Sequence, residues 1–248
     1  MTPLRIAFDM DGTLADFSAA YADVEDHLFG NVETASNRPA PEAREAEQDV
    51  KVGSPADAPA DPELEEEEER RQNGRPSRPM DTRHRVWRAI EATPNFWTTL
   101  KPTEDAAVAR LYQLTGDLNW EVFFITQRPS TAGATVQSQT HEWLVAQGFQ
   151  TPSVIPLSGG RGKAASALRL DYLVDDTAQN CIDVVSDSSA RAILLVDRDD
   201  PQAVSTAKRL GIGVAHSVHE ALDVLVLATA ARANPTLFEK LRKMVGWK

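Results

Sequence analysis

Short apolar runs that stop at chemically reactive side chains constrain this chain more than any other feature. Leu4, Ile6, Ala7 and Phe8 lead to Asp9, with Asp11 two residues on. Val122 to Ile125 lead to Thr126, and Tyr172 to Val174 lead to Asp175 and Asp176. Such runs read as buried strands, and open α/β sheets place their chemistry at strand ends. Helical patterns over residues 104–114, 138–147, 164–170 and 201–210 alternate with strand patterns over 122–125, 153–157, 172–174 and 192–196, and Val214 adds a short edge strand. This alternation predicts an α/β fold, a doubly wound parallel sheet.

Each strand end suggests a role. Asp9 and Asp11 project from one end, and Gly12 permits the tight turn that follows. Carboxylates this close repel unless a cation or a shared proton relieves them. Magnesium, a hard ion that prefers oxygen ligands, suits them, and a carboxylate can attack phosphorus to form an acyl phosphate. The bland alternative is an Asp-rich surface turn. Thr126, with Gln127 and the following backbone N–H groups, could hold phosphate oxygens, and Arg128 could supply charge. Taken alone, that segment reads better as a strand leaving into a Pro turn. Lys163 lies on the Gly-rich approach Ser158-Gly159-Gly160-Arg161-Gly162 to a helix and can reach an anion. Arg161 is the competing cation, and a solvated loop lysine is the alternative. Adjacent strand side chains point opposite ways, so one of Asp175 and Asp176 is expected to ligate a metal directly, with the other behind it near Lys163. Asp176 or Thr177 could also cap a helix from Ala178.

Taken together, Asp9-Met10-Asp11-Gly12-Thr13, Thr126, Lys163 and Asp175-Asp176 resemble the motifs of the haloacid dehalogenase-like (HAD) hydrolases, over all of the chain except roughly residues 31–80. The resemblance implies a Rossmann-like core over residues 1–14 and 101–248, with a small helical cap inserted after the first strand over 15–100. It implies Asp9 as nucleophile and Asp11 as general acid, then base. Thr126 is implied as phosphate binder, Lys163 as neutralising cation, and Asp9, Asp11 (through its carbonyl) and Asp176 as magnesium ligands, with Asp175 close by. Family members with a carboxylate at the Asp11 position are phosphatases and phosphotransferases. A narrower similarity, through residues 9–17 and Thr93 to Leu100, is to the 5'(3')-deoxyribonucleotidase branch, which implies Phe17, Phe96 and Trp97 as nucleoside-binding rings. Buried core rings are the other reading of Phe96 and Trp97. That branch carries a different tripeptide after its threonine. Thr126-Gln127-Arg128-Pro129, with Thr140 to Leu144 downstream, also resembles polynucleotide 3'-phosphatases. The expected activity is a magnesium-dependent phosphomonoesterase acting on deoxyribonucleoside monophosphates. The alternatives are a polynucleotide 3'-phosphatase, a small-metabolite phosphatase, or a non-catalytic binding module that recruits a partner through residues 31–80.

Composition bounds the partners. The net charge of −11 argues against broad nucleic-acid binding. Residues 33–79 hold 13 acidic and 7 basic side chains, a net of −6, so the remainder is only mildly acidic and a nucleic-acid end is not excluded. Residues 31–80, rich in Pro, Ala and Glu, cannot bury enough apolar surface to offset their ordering entropy, and read as a disordered or loosely helical segment. Helical patterns flank it over 15–29 and 81–92, the second with Val86, Trp87 and Ile90. Cys181, the single cysteine, suits a reducing compartment. No signal-peptide pattern opens the chain. The longest apolar stretch, 221–231, is too short to span a bilayer. A cytoplasmic protein with no membrane contact is expected. A last helix over 235–245 has an apolar face for core or homodimer packing. His216 and His219 have helical metal-ligand spacing but no third ligand nearby in sequence, and read as structural or solvated.

Overall fold

A computed structural model describes residues 3–30, 78–232, 236 and 247, with the backbone alone for 78–81. Six parallel strands form one sheet in the order β3-β2-β1-β4-β5-β6. They are β1 (Arg5–Asp9), β2 (Glu121–Thr126), β3 (Ser153–Pro156), β4 (Tyr172–Asp175), β5 (Arg191–Leu195) and β6 (Gly213–Ala215). Between β1 and β2 lie α1 (Phe17–Phe29), α2 (Arg78–Ala92), a 3-10 turn (Phe96–Thr98) and α3 (Ala107–Leu118). The remaining helices bounded among the described residues are α4 (Val136–Ala146), α5 (Arg161–Ala167), α6 (Ala178–Asp187), α7 (Pro201–Leu210) and α8 (Val218–Ala231). This is the doubly wound α/β architecture expected from the alternation.

Side-chain alternation sorts the strands between two cores. Ile6, Phe8, Phe124, Tyr172 and Val174 face one way, onto Phe17 of α1, Trp87 of α2, Leu111 of α3 and Leu222 of α8. Ala7, Ile125, Leu173 and Leu194 face the other way, onto Ala165 of α5, Cys181 and Val184 of α6 and Ala207 of α7. Helix starts are set by short polar side chains that accept otherwise unpaired N–H groups. Asp16 accepts from the Ala19 N–H at 2.9 Å, Asp200 from Ala203 at 2.8 Å, and Ser217 from Glu220 at 3.0 Å.

The apolar stretch 221–231 is the body of α8, and no helix among the described residues is long and apolar enough to cross a membrane. His216 and His219 are engaged locally: His216 Nδ1 lies 2.9 Å from the Val196 carbonyl, and His219 Nδ1 lies 3.3 Å from Arg110. Residues 31–77 of the acidic segment, and the last helix except Thr236, lie outside the described residues, while 78–80 begin α2. The fifth helix starts at Arg161, three residues before the expected Ala164.

Candidate active site

The chain runs from β1 outward to β3, then returns to β4 on the other side of β1. That reversal makes the crevice between β1 and β4 the switch point, where such sheets bind ligands. Asp9 ends β1 and Asp175 ends β4. Both follow the parity of Ala7 and Leu173, so both face α5 and α6. Asp176 joins them past the end of β4. One carboxylate oxygen from each of Asp9, Asp175 and Asp176 lies within 4.8 Å of the others, so the three could hold a metal ion. The tight turn after β1 makes this meeting possible. Gly12 has φ +81°, and a Cβ there would sit 2.1 Å from an oxygen of Asp176.

Crowded acids in an apolar sheet hold their protons more tightly. Burial, then the Asp175 charge, pushes the Asp9 carboxyl well above its usual range against the pull of Arg161. Burial pushes Asp175 up. Burial, followed by the Asp175 charge, pushes Asp176 up to about 7. A hard divalent cation relieves this stress, and the all-oxygen donor set suits magnesium. Asp175 is already engaged: it accepts from Thr177 N–H at 2.8 Å and from Asn180 Nδ2 at 3.1 Å, with Arg161 Nε 3.6 Å away. Asp176 accepts the Thr13 hydroxyl at 3.2 Å.

The cation beside the carboxylates is Arg161, not Lys163. Arg161 is buried and pairs with Asp9. Lys163 is exposed. The expectation of Lys163 placed it on the loop before the helix. Since α5 begins at Arg161, Lys163 lies about 200° further round the helix. Gly162 seats this first turn against α6, because a Cβ there would sit 2.3 Å from the Asp183 carbonyl. The available signal was Gly160, a residue able to precede a helix start.

Thr126, at the end of β2, is 1% exposed, and its hydroxyl has no partner. Nε and Nη1 of Arg161 are likewise buried without a hydrogen bond. Buried polar atoms normally find partners, so the Thr126 hydroxyl and Nη1 of Arg161 are donors waiting for acceptor oxygens, while Nε faces Asp175. The carboxylate of Asp11 stands apart from the trio and pairs with Arg128, Nη2 to Oδ1 at 2.6 Å.

Aromatic rings stand above the carboxylates. Phe17 stacks on Trp87 with centroids 5.5 Å apart and lies 5.7 Å from Trp97. Phe96 packs behind Trp97 at 5.1 Å. Phe17, Trp87, Trp97, Gln127 and Arg128 line a cavity with Asp9, Asp11, Thr126, Arg161 and Asn180; Phe96 does not. Trp87 and Asn180 went unread as cavity residues because helical periodicity marks a buried face without saying what it covers. The cavity holds about 80 Å³, against roughly 150 Å³ for one that admits benzene. With the rings so placed, this space suits a phosphoryl-sized group. A wider cleft of about 550 Å³, lined by Thr13, Asp197, Arg198 and His216, shares the Asp176 wall.

No protein-family model matches the chain, and no curated protein matches it by sequence. Solved structures do match. One is a HAD-family hydrolase from Deinococcus radiodurans with bound phosphate and sodium, at TM-score 0.54 and 13% identity, covering 93% of this chain and 98% of that one. Another is a conserved haloacid dehalogenase-like protein of unknown function from Agrobacterium tumefaciens, at TM-score 0.50 and 14% identity, covering 92% of this chain and all of that one. Identities this low speak for fold and leave substrate open, the deoxyribonucleotidase likeness included. The chain has the fold of the haloacid dehalogenase-like hydrolases.

Proposed function

We propose that this protein is a magnesium-dependent phosphomonoesterase that works through an aspartyl phosphate on Asp9. One observation carries the reading. Asp9, the unpartnered hydroxyl of Thr126 and the unpartnered Nη1 of Arg161 converge on one cavity of phosphoryl size. Asp9 attacks phosphorus, and the bond from phosphorus to the ester oxygen breaks. The departing alcohol takes a proton from Asp11. Water then attacks the aspartyl phosphate, gives a proton to Asp11, and releases inorganic phosphate with Asp9 restored. Thr126 and Arg161 donate to the phosphoryl oxygens as charge builds there. Asp9, the backbone carbonyl of Asp11 and Asp176 would hold the magnesium ion, which when bound supplies positive charge to those oxygens. Asp175 orients Arg161.

The phosphoryl group occupies the cavity beside Asp9, so the leaving group extends out past Gln127, an exposed lining residue. A deoxyribonucleoside monophosphate is the leading substrate, favoured by the flat faces of Phe17, Trp87 and Trp97. It requires those rings to part. A polynucleotide 3'-phosphate, whose bulk stays outside, is the second reading, favoured by the small cavity.

Purified protein incubated with magnesium and a panel of nucleotides, a 3'-phosphorylated oligonucleotide and sugar phosphates should release phosphate from at least one class and stop on chelation. No release from any of them, with the protein folded and magnesium present, would overturn the reading.

A further inference from the structure

The sequence suggests Arg128 as a substrate contact, yet its guanidinium is occupied by the protein itself. Nε donates to both oxygens of Asp11, at 3.0 and 2.9 Å, and Nη2 donates to Oδ1 at 2.6 Å. Nη1 donates to the Thr140 hydroxyl at 2.9 Å. The group lies over the Trp97 ring, 4.8 Å from its centroid. The Arg128 side chain has no exposed surface.

Its supports are themselves fixed. Trp97 donates from Nε1 to the Pro129 carbonyl at 3.0 Å, and its backbone N–H donates to Gln139 Oε1 at 3.0 Å. Gln139 is fully buried and donates back to the Ala134 carbonyl at 2.6 Å. Asn95 ties the 3-10 turn to the same loop, its N–H reaching the Ala132 carbonyl at 2.7 Å and its Oδ1 accepting from Ala134 N–H at 2.8 Å. Arg128 is thus held by the loop after β2, by α4 and by the aromatic turn before any ligand arrives.

We infer that Arg128 is a positioning residue. It acts on the proton-carrying side chain of Asp11 and not on the substrate, and Thr140 and Trp97 aim it. This deepens the phosphatase reading and rests on it. Proton transfer needs the donor within hydrogen-bond reach of the departing oxygen. A misplacement of about 1 Å costs on the order of 10²-fold. A planar fork gripping both carboxylate oxygens fixes that distance, whereas a lysine offers a point contact.

The test is steady-state turnover of an alkyl phosphate ester, whose departing oxygen needs a proton, with magnesium by wild type, Arg128→Lys, Thr140→Val, Thr140→Ser, Asp11→Asn and the Asp11→Asn/Arg128→Lys double variant. Arg128→Lys should lower kcat by about tenfold or more with KM within about twofold. Thr140→Val, nearly isosteric, should lower kcat by a few-fold. Thr140→Ser should restore it. With Asp11 already replaced, Arg128→Lys should change kcat by less than about twofold, since its partner is gone. Thr140→Val and Thr140→Ser decide the matter if Arg128→Lys does not fold. A raised KM at unchanged kcat, full additivity in the double variant, or no loss in Thr140→Val would overturn the inference while leaving the phosphatase reading intact. An inactive wild type would overturn both.

Discussion

The two walls of the cavity are built on different principles. Its floor comes from strand ends: Asp9, Thr126 and Asp175 are each the last residue of a parallel strand, so the sheet register alone brings them together. Its roof comes from Phe17, Trp87 and Trp97 on separate segments of the β1–β2 connection, gathered by burying one another. The floor is polar, with donors left unpaired. The roof is mostly apolar, its rings packed on one another, with the indole N–H of Trp87 also buried without a hydrogen bond. Chemistry belongs to the floor and substrate choice to the roof, and changes on the two sides should separate accordingly.

Altering the floor should have the largest effect. Asp9→Asn removes the attacking oxygen and should cut turnover by at least about 10³-fold while the protein still melts cooperatively. Arg161→Met should follow, at roughly 10²-fold, since it takes away preorganised donors to the phosphoryl oxygens. Lys163→Ala should stay within about twofold of wild type, as expected of an exposed residue. Kinetics on the pair decide which cation serves the site; the reverse order would restore Lys163.

Altering Phe17 or Trp87 should affect stability and KM more than kcat, whereas Trp97 also supports Arg128. Trp87 is 5% exposed and stacked on Phe17. Trp87→Ala should cost about 3–5 kcal/mol of stability in thermal or denaturant melts, and it should widen the cavity enough to change the ranking of nucleotides against small phosphates. An unchanged ranking would remove the roof from substrate choice.

The smallest effect is a pH dependence of the floor. In the metal-free protein the Asp9, Asp175 and Asp176 carboxyls are pushed up, so the folded state keeps protons that the unfolded chain releases near 3.8. The stability this gives is complete below about 3.8. It is lost as pH rises toward about 7, the value for Asp176. Melting temperature under chelation should therefore fall across that window, and added magnesium should raise it more above the window than below. An equal magnesium shift at both ends would argue that these carboxylates are not the ligands.

The same contrast explains what the sequence made legible. Parallel strands buried on both faces read as apolar runs, and a reactive group at the end of each run is visible without a structure. Asp9, Asp11, Thr126 and Asp175-Asp176 could be singled out that way, and the α/β class followed from the same alternation. Arg161 was harder, because a Gly-rich approach hides where a helix begins, and a shift of three residues exchanges one cation for another. The pairing of Arg128 with Asp11 spans 117 residues of chain and has no local signature. The buried stack of Phe17 on Trp87 is equally silent, since helical spacing tells that a ring is buried and not against what.

The central claim is that a phosphoryl group passes through Asp9. Acid quenching of wild-type protein during turnover with magnesium, followed by mass spectrometry of its peptides, tests that directly. The account predicts the added mass of one phosphoryl group on the peptide carrying Asp9, labile to hydroxylamine and absent from Asp9→Asn. Turnover with no such adduct, and with Asp9→Asn hydrolysing substrate at close to the wild-type rate, would contradict it.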